Sequence, residues 1–411
     1  MNMQARPILS ALRRHKLVIG LLILEIALTC AIVCNSVFII SQRLERVQMP
    51  SGIAEHELAL VRMAYISDRP DATTRAQTDL AALRQIGGVR QVALVDAVPF
   101  STDGPNDSVK LDPQQQRPSL SVGAYFGRSL LPTLGVGLIA GRGFQPDEFV
   151  DASQVTTATQ KGDFNELPHV VLITQAMAQR LWPGQSALGK TLYLGRNIGL
   201  QVVGVLARLT RSGALSRGAD YSMVMPVSVN LNQGAVFVIR CAPQDRARVL
   251  RAAAAKLKQL DPNRVLLQQV TFDQFRADYF QSDRAMARLL VGVCLALLIV
   301  TALGIVGLAS FWVAQRRKQI GIRRAMGATR GDILRYFQSE NFLIVSFGIA
   351  LGMVLAFAIN TTLMRFYELG RLPFFYLPIG AVVLWCLGQI AILGPALRAS
   401  NVPPVVATRS V

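Results

Sequence analysis

Residues 289–330 read LLVGVCLALLIVTALGIVGLASFWVAQRRKQIGIRRAMGATR. The first part, Leu289 to Ala314, is an unbroken apolar run. At a rise of about 1.5 Å per helical residue, it is long enough to cross a hydrocarbon core of about 30 Å. The second part, Gln315 to Arg330, is rich in arginine. An apolar span that ends in a basic segment predicts a transmembrane helix whose last turn emerges in the cytoplasm.

Three further apolar stretches, at 17–40, 342–364 and 376–397, are also long enough to cross it. Together they predict four membrane spans, in agreement with a 411-residue composition that is 51% hydrophobic. The first stretch follows a short basic segment, as the core of a signal peptide would. It is too long for such a core and shows no convincing cleavage site before Gln42, so we interpret it as an uncleaved anchor.

The net charge of +18 is concentrated beside the apolar stretches, which argues against a nucleic-acid-binding surface. The flanking basic residues are Arg6, Arg13, Arg14, His15 and Lys16 before the first span, and Arg316, Arg317, Lys318, Arg323, Arg324, Arg330 and Arg335 between the second and third. The positive-inside rule therefore places both termini and residues 315–341 in the cytoplasm, and the long segment after the first span outside. Membrane lipid is an expected contact, and nucleic acid is not.

The predicted fold is an α-helical membrane protein with four transmembrane helices and a large α+β extracytoplasmic domain inserted between helices 1 and 2. The predicted segments are a cytoplasmic N-terminus (1–16), transmembrane helix 1 (17–41), the extracytoplasmic domain with its stalk (42–285), transmembrane helix 2 (286–314), a cytoplasmic coupling loop (315–341), transmembrane helix 3 (342–364), a short external loop (365–375), transmembrane helix 4 (376–397) and a cytoplasmic tail (398–411).

Alternating strand and helix patterns within 42–285 predict the α+β class. The predicted elements are a strand over His169–Ile173, a helix over Gln175–Trp182 with Thr174 as its N-cap, a hairpin of Lys190–Leu194 and Leu200–Leu206 joined at 195–197, and a strand–helix–strand unit over 235–240, 244–260 and 265–270. The segment contains a single cysteine, Cys241, so no disulfide can form within it and its core must stabilise it.

Three other stretches of this segment have less regular patterns. Residues 102–118 and 151–166 are rich in turn-forming residues and are predicted to be mobile surface loops. Residues 273–288 have a helical pattern without a breaker before the second span. This pattern predicts a continuous helical stalk.

Residues 184–191, GQSALGKT, match the phosphate-binding pattern G-x-x-x-x-G-K-[ST] at every required position. That chemistry requires a strand before the loop and a helix after it, so that backbone amides face the phosphates. Here a predicted helix precedes the loop and a strand pattern follows it. An acidic pair is also missing, because Asp96 at the end of an apolar run is followed by Ala97. We interpret the motif as an ordinary turn into a strand.

Within 315–330, Gly327 is typical of a helix C-terminus, and Thr329 with Asp332 is typical of a capping pair for the next helix. The segment QRRKQIGIRRAMGATR resembles the signature of MacB/FtsX permeases, in which an extension of the second span turns sharply before the third. The resemblance extends to GAYF at 123–126, GRGF at 141–144, residues 169–191 and GPALRAS at 394–400, and so covers nearly the whole chain.

The resemblance implies that this loop docks on a separate cytoplasmic ABC ATPase, since no fused nucleotide-binding domain like that of MacB is found in the sequence. By this analogy the candidate ATPase-coupling residues are Gly321, Arg323, Arg324, Met326, Gly327 and Ala328. A simpler alternative is that the basic residues contact anionic lipid headgroups. That alternative does not explain the apolar Ile320, Ile322, Ala325 and Met326 among them, which are suited to a protein groove.

The implied function is that of a permease subunit in the bacterial inner (plasma) membrane. It would couple ATP hydrolysis by the partner to movements of its periplasmic domain, in efflux or export. The chain itself is expected to be no enzyme and to bind no cofactor, with ATP and Mg on the ATPase. A second permease copy or a sister permease is the expected dimer partner, and a periplasmic adaptor is left open. Three alternatives are an FtsX-like regulator of cell-wall hydrolases, a lipoprotein-releasing permease and a membrane-anchored receptor without an ATPase.

Few residues inside the predicted spans are polar enough to suggest a function. Glu25 either contacts a partner helix or is a protonated or snorkelling carboxylate. Gly348 and Gly352 permit close helix packing, with a dimer contact as one alternative. The histidines and cysteines show no metal-site spacing, so neither a catalytic nor a metal-binding residue is predicted.

Overall fold

The computed structural model describes residues 16–65, 69–102, 104–161, 167–195, 198–213, 218–233, 235–367 and 371–401. The chain divides into two compact units. Gln48–Gln281 form the external domain, and the segments before and after it form the membrane unit. The predicted N-terminal segment before Lys16, the turn residues 196 and 197, part of the predicted external loop and nearly all of the predicted tail lie outside the described residues.

The helices and strands are numbered along the chain. The helices are α1 (Lys16–Val47), α2 (Ala72–Arg84), α3 (Leu130–Leu134), α4 (Ala152–Lys161), α5 (Gln175–Leu181), α6 (Arg246–Leu260), α7 (Phe272–Tyr279), α8 (Gln281–Gln315), α9 (Arg317–Ala325), α10 (Arg330–Tyr367) and α11 (Tyr376–Ser400). The strands are β1 (Leu58–Ala64), β2 (Val89–Val95), β3 (Asn106–Lys110), β4 (Leu120–Phe126), β5 (Leu138–Gly141), β6 (Val150–Asp151), β7 (Val170–Thr174), β8 (Thr191–Leu194), β9 (Ile198–Leu206), β10 (Ser222–Met225), β11 (Val227–Ser228), β12 (Val236–Cys241) and β13 (Val265–Thr271).

Four of the described helices, α1, α8, α10 and α11, are long and apolar enough to cross a membrane. We call them the first to fourth spans. Because lipid does not drive helices together as water does, close packing and polar contacts must hold such spans. Asn35 donates a hydrogen bond from the first span to the carbonyl of Ala356 in the third at 3.0 Å. The hydroxyls of Thr29 and Thr301 share a hydrogen bond of 2.9 Å between the first and second spans.

Gly348 and Gly352 lie where the third span packs against the first. A Cβ added at Gly348 would lie 2.6 Å from Cγ2 of Ile26, and one at Gly352 would lie 2.5 Å from Cβ of Cys30. Any side chain at either position would push the two helices apart. The contact is within one chain, and a dimer contact at these glycines stays a prediction.

The external domain contains two main sheets. The smaller is antiparallel, with strand order β13-β1-β12-β2, and its core includes residues from α2 and α6. The larger has the order β5-β9-β7-β10-β4-β3-β8, and β8 also pairs with β9, so six of its strands form a closed ring. Closure leaves those strands without a free edge. The ring is filled by apolar side chains such as Val122, Ile173 and Leu200.

The structure confirms several local predictions for this domain. The predicted strand and helix at 169–182 are β7 and α5, the predicted hairpin is β8–β9, and the strand–helix–strand unit is β12, α6 and β13. Thr174 occupies the N-cap position of α5, but its side chain does not cap the helix. Its hydroxyl donates instead to the carbonyl of Asp220 at 2.6 Å.

Two stretches predicted to be loops contain regular structure, so those predictions were wrong. Residues 102–118 include β3, whose backbone groups are paired between β4 and β8. Residues 151–166 include α4, an amphipathic helix that buries Ala152 and Ala158. In both stretches pairing or burial against distant residues outweighs weak local propensity. Residues 103 and 162–166 lie outside the described part of the chain.

The predicted continuous stalk is also wrong, because the helix is interrupted at Phe280, between α7 and α8. The Phe280 side chain is only 1% exposed. Its ring packs in a T-shaped contact on Phe100, with centroids 5.1 Å apart. The guanidinium of Arg276 lies over the Phe100 ring at 4.9 Å and pairs with Glu55. Burial of Phe280 in this aromatic cluster favours a break that no proline or glycine signals.

Candidate coupling elbow

The segment from Gln315 to Thr329, which we call the elbow, is a short helix set between two bends. The second span ends at Gln315, Arg316 leaves helical geometry with φ −99° and ψ 9°, and α9 then begins. Gly327, with φ +98°, lies just beyond the end of α9, in a conformation that glycine adopts at little cost. The predicted helix stop at Gly327 is confirmed.

The third span begins at the predicted capping pair, which the structure also confirms. The Asp332 amide donates to the Thr329 hydroxyl at 3.2 Å, and the Thr329 amide donates to the Asp332 carboxylate at 3.0 Å. These reciprocal bonds satisfy backbone donors that a helix start leaves unpaired. The bend between α9 and α10 is therefore short and well defined.

One side of the elbow is exposed and combines basic with apolar side chains. Ile322 is 44% exposed and Met326 is 76% exposed. Arg317, Lys318 and Arg323 are exposed around them. We call these five residues the elbow surface. Large apolar side chains exposed together outside the membrane are typical of a protein-binding surface.

The predicted coupling residues lie on both the exposed and the buried side of the elbow. Arg323, Met326 and Gly327 are exposed, whereas Arg324 and Ala328 are half-buried and Gly321 is buried. Gly321 therefore lies beneath the elbow surface and contributes little exposed area to it. The prediction that Ile320 is available to a partner groove is wrong. Ile320 is 5% exposed and packs in the core of the membrane unit.

A buried ion pair fixes the first bend. Arg316 donates from Nη1 to both carboxylate oxygens of Glu340 in the third span, at 3.0 and 3.2 Å. Glu340 is only 2% exposed. Arg316 also lies within 3.4 Å of the Tyr336 hydroxyl, and its guanidinium is 5.7 Å from the Trp312 ring centroid. Sequence reasoning missed Glu340, although an acid directly before an apolar span is itself a signal that a charge partner is needed.

Two further contacts hold the elbow against the third and fourth spans. The Arg323 guanidinium lies 4.9 Å from the centroid of the Tyr336 ring. Arg324 donates to the carbonyl of Ser400, the last residue of the fourth span, at 3.0 Å. The buried face of α9 thus contacts both neighbouring spans, while its other face is left to solvent.

Glu25 in the first span faces the second span of the same chain. A Cβ added at Gly304 would lie 2.9 Å from Oε2 of Glu25, so the glycine makes room for the carboxyl group. Oε1 is buried without a hydrogen-bond partner among the described residues. The structure thus shows Glu25 in contact with another helix, and its protonation state stays an open alternative.

The motif at 184–191 has the backbone environment of a turn and a strand. It follows α5 and precedes β8, and the Gly189 amide donates to the Val202 carbonyl at 2.8 Å. The Lys190 carbonyl accepts from the Val202 amide at 2.9 Å. Backbone groups of Gly189 and Lys190 are used in pairing with β9, and the predicted order of a helix, a turn and a strand around the motif is confirmed.

Asp96, which ends the apolar run of β2, has a structural contact that its sequence context did not suggest. Its Oδ1 accepts a hydrogen bond from the Phe126 amide at the end of β4, at 2.8 Å. Asp96 thereby connects the two main sheets of the external domain. Burial raises the pKa of Asp96 to about 7, although hydrogen bonds from backbone amides oppose the shift.

The described residues contain no group of three or more His, Cys, Asp or Glu side chains that could hold a metal ion. Basic and apolar side chains exposed together on the elbow surface are suited to contact with another protein.

Two protein families match the chain. The family described as MacB-like periplasmic core domain matches residues 26–257, and the family described as FtsX-like permease C-terminal matches residues 291–404. Two curated relatives are each 24% identical. For the macrolide export ATP-binding/permease protein MacB of Chromobacterium violaceum, the match covers 68% of this chain and 42% of the relative. For the uncharacterized ABC transporter permease YvrN of Bacillus subtilis, it covers 61% of this chain and 64% of the relative.

Two solved structures are similar to part of the chain. The extracellular domain of the noncanonic ABC-type transporter YknZ from Gram-positive bacteria is 15% identical, with a TM-score of 0.31, over 51% of this chain and 100% of that one. The periplasmic region of MacB from Actinobacillus actinomycetemcomitans is 12% identical, with a TM-score of 0.33, over 57% of this chain and 97% of that one.

Proposed function

Because the chain belongs to the MacB-like and FtsX-like family of ABC transporter permeases, we propose that it couples ATP hydrolysis by a separate cytoplasmic ATPase to movements of its external domain. The protein is a multi-pass inner-membrane protein, and its external domain is periplasmic. The work performed would be efflux or export. The names of the MacB relatives support this proposal, since they describe export proteins with an ATP-binding part.

The observation that supports the proposal most directly is the elbow surface. A loop that only satisfied the positive-inside rule would need basic residues, but it would have no need to expose Ile322 and Met326 beside them. Truncation of a large apolar side chain at the centre of an interface often costs about 2 kcal/mol or more of binding free energy. Met326 is the most exposed large apolar residue of the elbow, so it is the residue we expect to contribute most.

In this scheme ATP and Mg are bound by the ATPase, and this chain supplies the surface on which the ATPase docks. A dimer with a second permease copy would present two elbows. Closure of two ATPase subunits below would then move both elbows together, and the connected spans would transmit the movement to the external domains.

The test is whether an ATPase remains bound to the full-length chain purified from its native membranes. We expect ATP hydrolysis to co-purify with the wild-type chain. In Met326→Asp the activity should fall about ten-fold or more, because a charged side chain at an apolar contact weakens binding of the ATPase. Leu267→Asp, which makes the same change at an exposed residue of the external domain, serves as the matched control and should retain the activity.

Two results would contradict the proposal. One is ATP hydrolysis by the purified chain when no second protein is present. The other is equal loss, or equal retention, of the bound ATPase in Met326→Asp and in Leu267→Asp.

A further inference from the structure

The Arg316–Glu340 pair lies at the single residue where the second span becomes the elbow helix. Arg316 is neither in α8 nor in α9, and its guanidinium is held by both oxygens of Glu340. Burial of a charged carboxylate is costly unless a cation pairs with it, and Glu340 is only 2% exposed. Formation of the pair therefore restricts where Arg316 can lie, and with it the direction in which α9 leaves the second span.

A second contact fixes the far end of the elbow helix. Arg324, in the last turn of α9, donates to the Ser400 carbonyl at 3.0 Å. A cation beside the last carbonyls of a helix is favourable because these carbonyls lack partners within the helix. Between the two contacts, Ile320 packs in the same core as Ile333 and Phe337 of the third span.

These contacts divide the elbow into two functional faces. The residues of the elbow surface are exposed, and one of them, Arg323, also contacts the Tyr336 ring of the third span. Arg316, Ile320 and Arg324 are half-buried or buried and contact the third and fourth spans. A force applied to the exposed face would reach those spans through the buried face. Without the buried contacts, α9 would be connected to the second and third spans only through the two bends of the chain.

We propose that Glu340 is a positioning residue: by holding Arg316 it makes the elbow a rigid extension of the third and fourth spans, so that docking on the elbow moves those spans. The role of a rigid elbow in transport rests on the proposed function. The rigidity of the elbow can be tested without the ATPase, because the contacts that produce it lie within this chain.

The test measures amide hydrogen exchange of residues 317–328 in the full-length chain, in lipid nanodiscs without any ATPase. The Ile320 amide donates to the Arg316 carbonyl at 2.9 Å and the Ala328 amide donates to the Arg323 carbonyl at 3.1 Å, so both report on the elbow. We expect about ten-fold faster exchange in Glu340→Gln, because Arg316 loses the carboxylate that balances its charge. Arg335→Gln removes a charge from an exposed position on the same helix and serves as the matched control, with exchange unchanged.

A double-mutant cycle distinguishes loss of the Arg316–Glu340 ion pair from general unfolding of the protein. If the two residues act as a pair, Arg316→Gln together with Glu340→Gln should accelerate exchange no more than either change alone. Slow exchange at the amides of the third span should be retained throughout. Wild-type exchange in Glu340→Gln, additive effects in the double variant, or loss of protection across the whole membrane unit would each overturn the proposal.

The ATPase assay distinguishes this proposal from the one on which it rests. Glu340→Gln leaves the elbow surface intact, so the variant should retain the bound ATPase that Met326→Asp loses, while ATP-driven movement of the external domain is reduced. Faster elbow exchange with normal ATP-driven movement would refute the role in coupling. Retention of the ATPase by Met326→Asp would instead refute the docking surface.

Discussion

The second span is bounded by two helix breaks, one at Phe280 and one at Arg316, and different forces stabilise them. The backbone angles are nearly the same, with φ −91° and ψ 11° at Phe280 and φ −99° and ψ 9° at Arg316. Phe280 is held by burial of an aromatic ring, whereas Arg316 is held by an ion pair with Glu340. An apolar contact depends on the volume of the side chain, and an ion pair depends on its charge. The two breaks should therefore respond to different substitutions.

The largest expected effect is that of Phe280→Ala. Removal of a fully buried aromatic ring should lower the free energy of unfolding of the external domain by about 3–5 kcal/mol. The measurement is hydrogen exchange of peptides from the external domain in the full-length chain. Phe311→Ala, at an exposed position of the second span, is the matched control and should change exchange there little. A loss below about 1 kcal/mol would show that Phe280 does not anchor the break.

A smaller effect is expected from pH, which acts on the external domain through Asp96. Its pKa is about 7 in the folded domain, against 3.8 for an ordinary aspartate. Between these values the folded domain keeps a proton that the unfolded chain has lost, so stability should fall as the pH rises from about 4 to 7 and level off above that. Asp96→Asn, which can still accept the Phe126 hydrogen bond, should remove about 3 kcal/mol of this pH dependence between pH 5 and 8.

Exchange of the Phe126 amide, followed from pH 5 to 8 with correction for the intrinsic rate, measures this effect. Phe280 carries no ionisable group, so Phe280→Ala should lower stability by similar amounts at pH 5 and at pH 8. Identical pH profiles for the wild type and Asp96→Asn would show that Asp96 does not cause the pH dependence of stability.

The smallest effect concerns Thr329, where a local signal rather than a distant contact sets a helix boundary. Loss of the capping hydroxyl in Thr329→Ala should destabilise the first turn of the third span by about 1 kcal/mol. Thr361→Ala is the control, because the Thr361 hydroxyl donates to the Phe357 carbonyl within its own helix, at 2.8 Å, and lies far from the helix start. Local exchange at residues 330–333 measures the difference. If both variants exchange alike, the boundary is set by packing, as it is at Phe280.

Local signals explain which features the sequence predicts well. Gly327, Thr329 and Asp332 act on backbone groups within a few residues, so their effect can be inferred without the fold. The same holds for the turn into β8, where the helix and strand patterns predict the observed order of elements. These features depend on chain geometry that is nearly independent of the rest of the molecule.

Distant contacts explain what the sequence did not reveal. In the sequence, Phe280 has the pattern of an ordinary helical position. The fold brings it into contact with Phe100, which lies 180 residues earlier in the chain. Ile320 and Ile322 are the same residue type two positions apart, yet one is buried and the other exposed. Burial of this kind depends on which helices meet, and no local pattern specifies that.

By itself, the sequence determined the four spans, the α+β class of the external domain and the bend after Gly327, because hydropathy, periodicity and capping act over short stretches of chain. The tertiary structure alone decided that the stalk breaks at Phe280, that Glu340 holds Arg316 and that the elbow turns Ile322 and Met326 toward solvent. The physical reason is that burial and ion pairing are properties of residues that meet in space, and their free energies exist only after the chain has folded.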